Sequence, residues 1–160
     1  MLTFSQMLIR FAVALVLGAL LGLERELVGK EAGIRTEMLV AAGAAIFAMI
    51  GIMLPYITAG ASGAVPDMVA QDSAFGIIAN IVSGIGFLGA GLIIKTESRA
   101  RGITTAAFVW TTAAIGVLAG IGMIEFAIVT TIIMAGLLYV LRKTDIAEQM
   151  EEKRPKPAAR

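Results

Sequence analysis

The chain has 160 residues, 58% of them hydrophobic and only 16% charged, and its mean hydropathy is +0.89. A soluble domain carries roughly a quarter charged residues and could not hide this much apolar surface in one core, so the composition predicts an integral membrane protein. There is no cysteine and no histidine, which excludes disulfides, thiolate nucleophiles and histidine relays, and the net charge of +1 says less than where the charges lie.

A bilayer core takes about 20 apolar residues per helix. The first predicted span runs from Phe4 to Leu23 and ends in the triplet Glu24-Arg25-Glu26. Between Arg10 and Glu24 lie only uncharged residues, about 20 Å of helix against a core of about 30 Å. One end of this span therefore carries charge into membrane depth. Arg10 can snorkel, whereas glutamate is too short to reach far. Gly18, Gly22 and Arg25 share a helical face, so the triplet is either an interfacial charge cluster or a polar site turned into the bundle.

The second span is predicted from Met38 to Thr58, opened by Gly33-Ile34-Arg35-Thr36. Arg35 can anchor at the interface, cap loop carbonyls, or pair with Glu24 or Glu26. An external loop, Ala59 to Asp72, leads to a third span from Ala74 to Ile94. There Asn80, Ser83, Gly84, Phe87 and Gly91 recur at helical spacing. The fourth span, Ile103 to Met123, repeats the device with Thr105, Thr112, Gly116 and Gly120. The two faces are expected to pack on each other, with hydrogen bonds across the contact. Trp110 lies too deep for an interfacial belt and is expected to face protein or a cavity, its N–H bound by Asn80 or a threonine. The fifth span follows from Ile124 to Leu141 after a tight turn at Gly120, Gly122 and Glu125.

The fold class predicted is all-α: a transmembrane bundle of about five spans over residues 1–142, then a charged, mostly disordered tail over 143–160. Twelve of the 13 basic residues fall on one side of this arrangement, Arg10 being the exception. That places the N-terminus outside and the C-terminus in the cytoplasm. No cleaved leader is expected, because no basic region precedes the first span. Gly84 to Gly89 matches GxGxxG but lies within a membrane-length apolar run, without a strand or a following acidic residue, and is rejected as a nucleotide loop. No nucleophile–base pair or carboxylate pair falls within the membrane, which argues against an enzyme.

Three blocks, LGALLGLERELVGKEAGIRTEMLVAAGAAIF, IVSGIGFLGAGLIIK and RGITTAAFVWTTAAIGVLAGIG, together resemble the MgtC/SapB family of bacterial membrane proteins. The resemblance covers roughly Arg10 to Gly122. It implies a multi-pass inner-membrane protein associated with magnesium limitation, acid stress or intracellular survival. Its polar signature corresponds here to Glu24, Arg25, Glu26, Gly33, Arg35, Thr36, Ser83, Thr104, Thr105 and Trp110. Two departures stand out: Gly76 occupies the place of a family arginine, and Asn80 that of a glutamine. Longer members also add a soluble C-terminal domain.

The candidate polar site thus comprises Glu24, Arg25, Glu26, Arg35, Thr36, Asn80, Ser83, Thr104, Thr105 and Trp110. The candidate packing glycines are Gly18, Gly22, Gly84, Gly86, Gly89, Gly91, Gly116 and Gly120. No cofactor and no metal site is implied, and no nucleic-acid partner. The expected partners are the bilayer, a second copy in a homodimer, and other membrane proteins. Two functions compete. One is a non-catalytic protein that acts by helix contact, with Gly18–Gly22 or Gly116–Gly120 as dimer faces. The other is a carrier of Mg²⁺, H⁺ or an anion, with its site near the cytoplasmic half.

Overall fold

A computed structural model describes residues 1–59, 67–96 and 100–152. Helix α1 (Phe4–Leu27) starts at a capping box: the Thr3 hydroxyl accepts from the Gln6 N–H, and the Gln6 side chain accepts from the Thr3 N–H. Helix α2 (Ile34–Thr58) and helix α3 (Asp67–Leu92) follow. A two-stranded antiparallel hairpin, β1 (Ile94–Lys95) with β2 (Ala100–Arg101), connects α3 to α4 (Ile103–Ile121). Helix α5 (Ile124–Glu152) ends the described chain.

Four of these helices are long and apolar enough to cross a membrane; the apolar part of α5, Ile124–Val140, is shorter. Helices α4 and α5 are separate. Gly122 takes a left-handed conformation (φ +97°), its N–H donates to the Ala119 carbonyl, and the Met123 N–H donates to Leu118. This is the pairing of a Schellman stop, which glycine adopts without a Cβ clash.

Several expectations shift. Helix α3 begins at Asp67, so the predicted Ala59–Asp72 loop is helical in its second part, while residues 60–66 lie outside the described residues. The basic connection after α3 is a hairpin rather than a plain turn; Arg99 within it lies outside the described residues. Helix α5 continues to Glu152, beyond the predicted boundary at 142/143, and residues 153–160 lie outside the described residues.

The core sits where α2 is clasped between α1 and α4. A Cβ on Gly18 would lie 2.5 Å from the Glu37 carbonyl oxygen and 2.9 Å from the Ala41 methyl; one on Gly22 would lie 2.5 Å from Ile34 Cα. From the opposite side, a Cβ on Gly116 would collide with the Ala41 carbonyl, and one on Gly120 would lie 2.6 Å from that of Ala45. Ala41 is the point where three backbones converge. Helix α2 answers with its own small residues, Ala41, Ala42, Ala44, Ala45 and Ala48, all buried. Small side chains let helices approach in the membrane, where dispersion replaces the hydrophobic drive. Leu17, Leu21, Phe108 and Ile115 fill the remaining volume.

Helices α3 and α4 do pack on each other, but not through the two faces predicted to meet. The Thr105–Thr112–Gly116–Gly120 face of α4 turns to α1 and α2, which present smaller, better-matched surfaces. Helix α3 meets α4 through Gly89, whose Cβ would make an ordinary 3.5 Å contact with Ala106. Around Gly84, Gly86 and Gly91 a Cβ would meet nothing within 4 Å. The Gly18–Gly22 and Gly116–Gly120 faces are interior seams, so neither is free to serve as a dimer surface.

Candidate functional site

The first turn of α2 is placed by its predecessor. Gly29 and Ala32 both take positive φ, 67° and 60°, so the chain reverses within six residues, Val28 to Gly33. Glu26 then accepts a hydrogen bond from the Ile34 N–H at 3.0 Å. A carboxylate at a helix N-terminus satisfies an orphan donor and complements the helix dipole. The local role of Glu26 is thus to start α2.

One residue earlier, Arg25 continues the buried face of Gly18, Leu21 and Gly22 and is itself only 5% exposed. Its guanidinium donates to the Thr105 hydroxyl at 2.8 Å and lies over the Phe108 ring at 5.1 Å from the centroid. Both partners are on α4, so Arg25 ties α1 to α4 by a hydrogen bond and a cation–π contact. Its Nε has no partner.

The residue that sequence reasoning missed is Glu37. It is fully buried, at 0% exposure, in the first turn of α2. Arg25 from α1 acts on it through charge, and Thr112 from α4 lies beside it. Neither carboxylate oxygen has a hydrogen-bond partner, and the Thr112 hydroxyl has none either. Among the described residues no carboxylate forms an ion pair with Arg25. The predicted second span starts at Met38 and so leaves Glu37 just outside it. The signal was available: positions 37, 41, 44, 45 and 48 share one helical stripe, and carrying the alanines back one turn places Glu37 upon it.

The other predicted site residues do not converge. Glu24 is half-buried, with one carboxylate oxygen buried and unpartnered. Arg35 and Thr36 are exposed, and of the three roles open to Arg35 the ion pair with Glu24 or Glu26 is not formed among the described residues. Thr104 is exposed one residue from the buried Thr105, the helix turning it off the seam. Asn80 and Ser83 are exposed on α3, and Trp110 is 48% exposed on the outside of α4, not directed inward. Phe87, which shares the Asn80 stripe, is 81% exposed.

Arg10, the lone basic residue away from the others, is also placed. It donates to the Gly120 carbonyl at 2.8 Å and its guanidinium packs against Gly122. A cation at the C-terminal carbonyls of α4 is favoured by the helix dipole. Instead of snorkelling, Arg10 caps a neighbouring helix.

The chemistry on offer is a closed polar seam with one arginine, one carboxylate and two threonines. No group of three or more acidic or other metal-ligating side chains occurs among the described residues. Comparison with known proteins then gives the context. The MgtC family matches residues 11–146. The chain is 41% identical over 143 residues to Protein MgtC of Salmonella typhimurium (strain LT2), covering 89% of this chain and 55% of that protein. It is 44% identical over 131 residues to Protein MgtC of Brucella abortus (strain 2308), covering 82% of this chain and 49% of that protein. The chain therefore spans about half the length of the curated relatives it matches. No solved structure matches it.

Proposed function

The chain belongs to the MgtC family, and from that premise we propose that it is a non-catalytic, multi-pass protein of the bacterial inner membrane. In this reading it serves adaptation to magnesium limitation or related stress by contacting other membrane helices, a second copy of itself among them. Its N-terminus lies outside and its C-terminus in the cytoplasm, the orientation favoured by the basic residues. The observation that carries the helix-contact reading is the outer face of α3. That helix is membrane-length, yet only 6% of its span is buried, against 61% for α4. It bears Asn80 and Ser83 exposed beside glycines that touch nothing. An amide on a lipid-facing surface is costly and is relieved by a partner helix, and glycines allow that helix to come close.

The test is a pair of substitutions, Asn80→Leu and Gly84→Ile, in the purified chain and in cells lacking their own copy. The expected result is loss of self-association, read by energy transfer between labelled copies in liposomes. Loss of growth support at low magnesium should accompany it, with the protein folded. Unchanged association and growth would defeat the reading.

A second reading, an ion or small-solute carrier, is favoured by the buried Arg25 and Glu37 with their unpartnered atoms. Flux of Mg²⁺, H⁺ or an anion through liposomes carrying the wild-type chain, lost in Arg25→Ala, would move the assignment to it.

A further inference from the structure

Glu37 is a titratable group that the helix-contact reading leaves without a use. A lone carboxylate out of water is relieved by an ion pair, by a metal ion or by a proton. The first is not formed. The Arg25 guanidinium, the charged group close enough to act, is turned to Thr105 and Phe108 on α4. The second is poorly served. One carboxylate and one hydroxyl are too few hard ligands for a divalent cation, and the fixed charge of Arg25 opposes any metal.

The third relief needs one nearby acceptor, and Thr112 provides it. The carboxylate and this hydroxyl are adjacent, both buried, both unpartnered. The hydroxyl's own hydrogen, given to the charged carboxylate, serves one of its two oxygens and leaves the charge buried, whereas a proton removes the charge itself. The route is short, because Glu37 lies in the first turn of α2, roughly 6 Å of helix rise from Gly33.

We propose that Glu37 is a proton-binding site inside the bundle: its carboxyl takes one proton from the aqueous phase and donates it to the Thr112 hydroxyl oxygen. No bond other than the new O–H forms or breaks, and the seam gains one positive charge. Few other groups bear on the site. From α1 come Arg25 and, on the same turn, Glu24 and Glu26, the latter engaged with Ile34. Helix α4 has no charged residue, and α3 has none from Ala74 to Leu92.

The experiment is infrared spectroscopy of the full chain in lipid nanodiscs, titrated from about pH 4 to pH 9, a range that brackets ordinary and perturbed carboxyl groups. Expected is a carbonyl stretch of a protonated carboxyl that rises and falls reversibly with pH. The band should be lost in Glu37→Gln and shifted in frequency in Thr112→Val, where its hydrogen-bond acceptor is gone. Should Glu37→Gln not fold, the Thr112→Val shift decides alone, and an unmoved band overturns the proposal. A spectrum identical in wild type and Glu37→Gln at every pH overturns it too. So does a band that disappears at fixed pH when Na⁺, K⁺ or Mg²⁺ is added, since the occupant would then be a metal ion.

Discussion

The seam joining α1, α2 and α4 and the outer face of α3 are built from the same materials, glycine with isolated polar side chains, and use them in opposite ways. In the seam, glycines bring backbones into contact and the polar groups beside them are buried: Arg25, Glu37, Thr105 and Thr112. On the outer face of α3 a Cβ at Gly84, Gly86 or Gly91 would meet nothing within 4 Å, and Asn80 and Ser83 are exposed. The first arrangement holds one chain together. The second is a surface with the same capacity for close approach and no occupant from its own chain. Glycine spacing alone does not distinguish a contact made from a contact offered; the residue that fills the space does, and here it is the alanine stripe of α2.

Four substitutions test that contrast, and they differ in size. Arg25→Ala should cost most, about 3–5 kcal/mol, because it removes a buried charge-assisted hydrogen bond to Thr105 together with a desolvated cation–π contact with Phe108. Chemical unfolding of the purified protein in mild detergent measures it, and Arg35→Ala, at an exposed position, is the control with little change. Gly116→Leu should follow, at about 3 kcal/mol, the upper part of the overpacking range, since its neighbour is the Ala41 carbonyl, which cannot rotate aside. Loss of a monodisperse species in size-exclusion chromatography reads it. Arg10→Ala should cost about 1 kcal/mol, the value of a charge-assisted bond at a helix end, seen as a lowered unfolding midpoint. Gly84→Leu should change stability by under about 0.5 kcal/mol, as surface substitutions do. A large loss there would erase the distinction between the two regions.

Much of this was legible beforehand. Apolar run lengths locate the helices, and the i, i+4 spacing of Gly18 with Gly22 and Gly116 with Gly120 marks both as close-approach faces. The placement of Arg25 on the Gly18–Gly22 face follows from the same geometry. Spacing along one helix, however, carries no information about which neighbour it meets. Two small-residue faces, on α3 and α4, looked like natural partners, yet α4 turns to α2, whose alanines form the smoother surface. Glu37 was missed for a related reason. At the end of a span a carboxylate reads as interfacial, and only the angular position of Glu37 relative to Ala41 reveals that it is inside. Trp110 failed in the other direction, because depth along a helix does not specify azimuth.

The bond from Arg10 to Gly120 joins positions 110 residues apart. At synthesis rates of about 5–20 residues per second, Arg10 emerges roughly 5–20 s before the carbonyl it will cap. Through that interval its charge must be held by water and lipid headgroups at the membrane surface. Pairing of α1 with α2, across their short connection, can be complete long before. The Arg10 contact therefore cannot form until the fourth helix has been made, after α1 and α2.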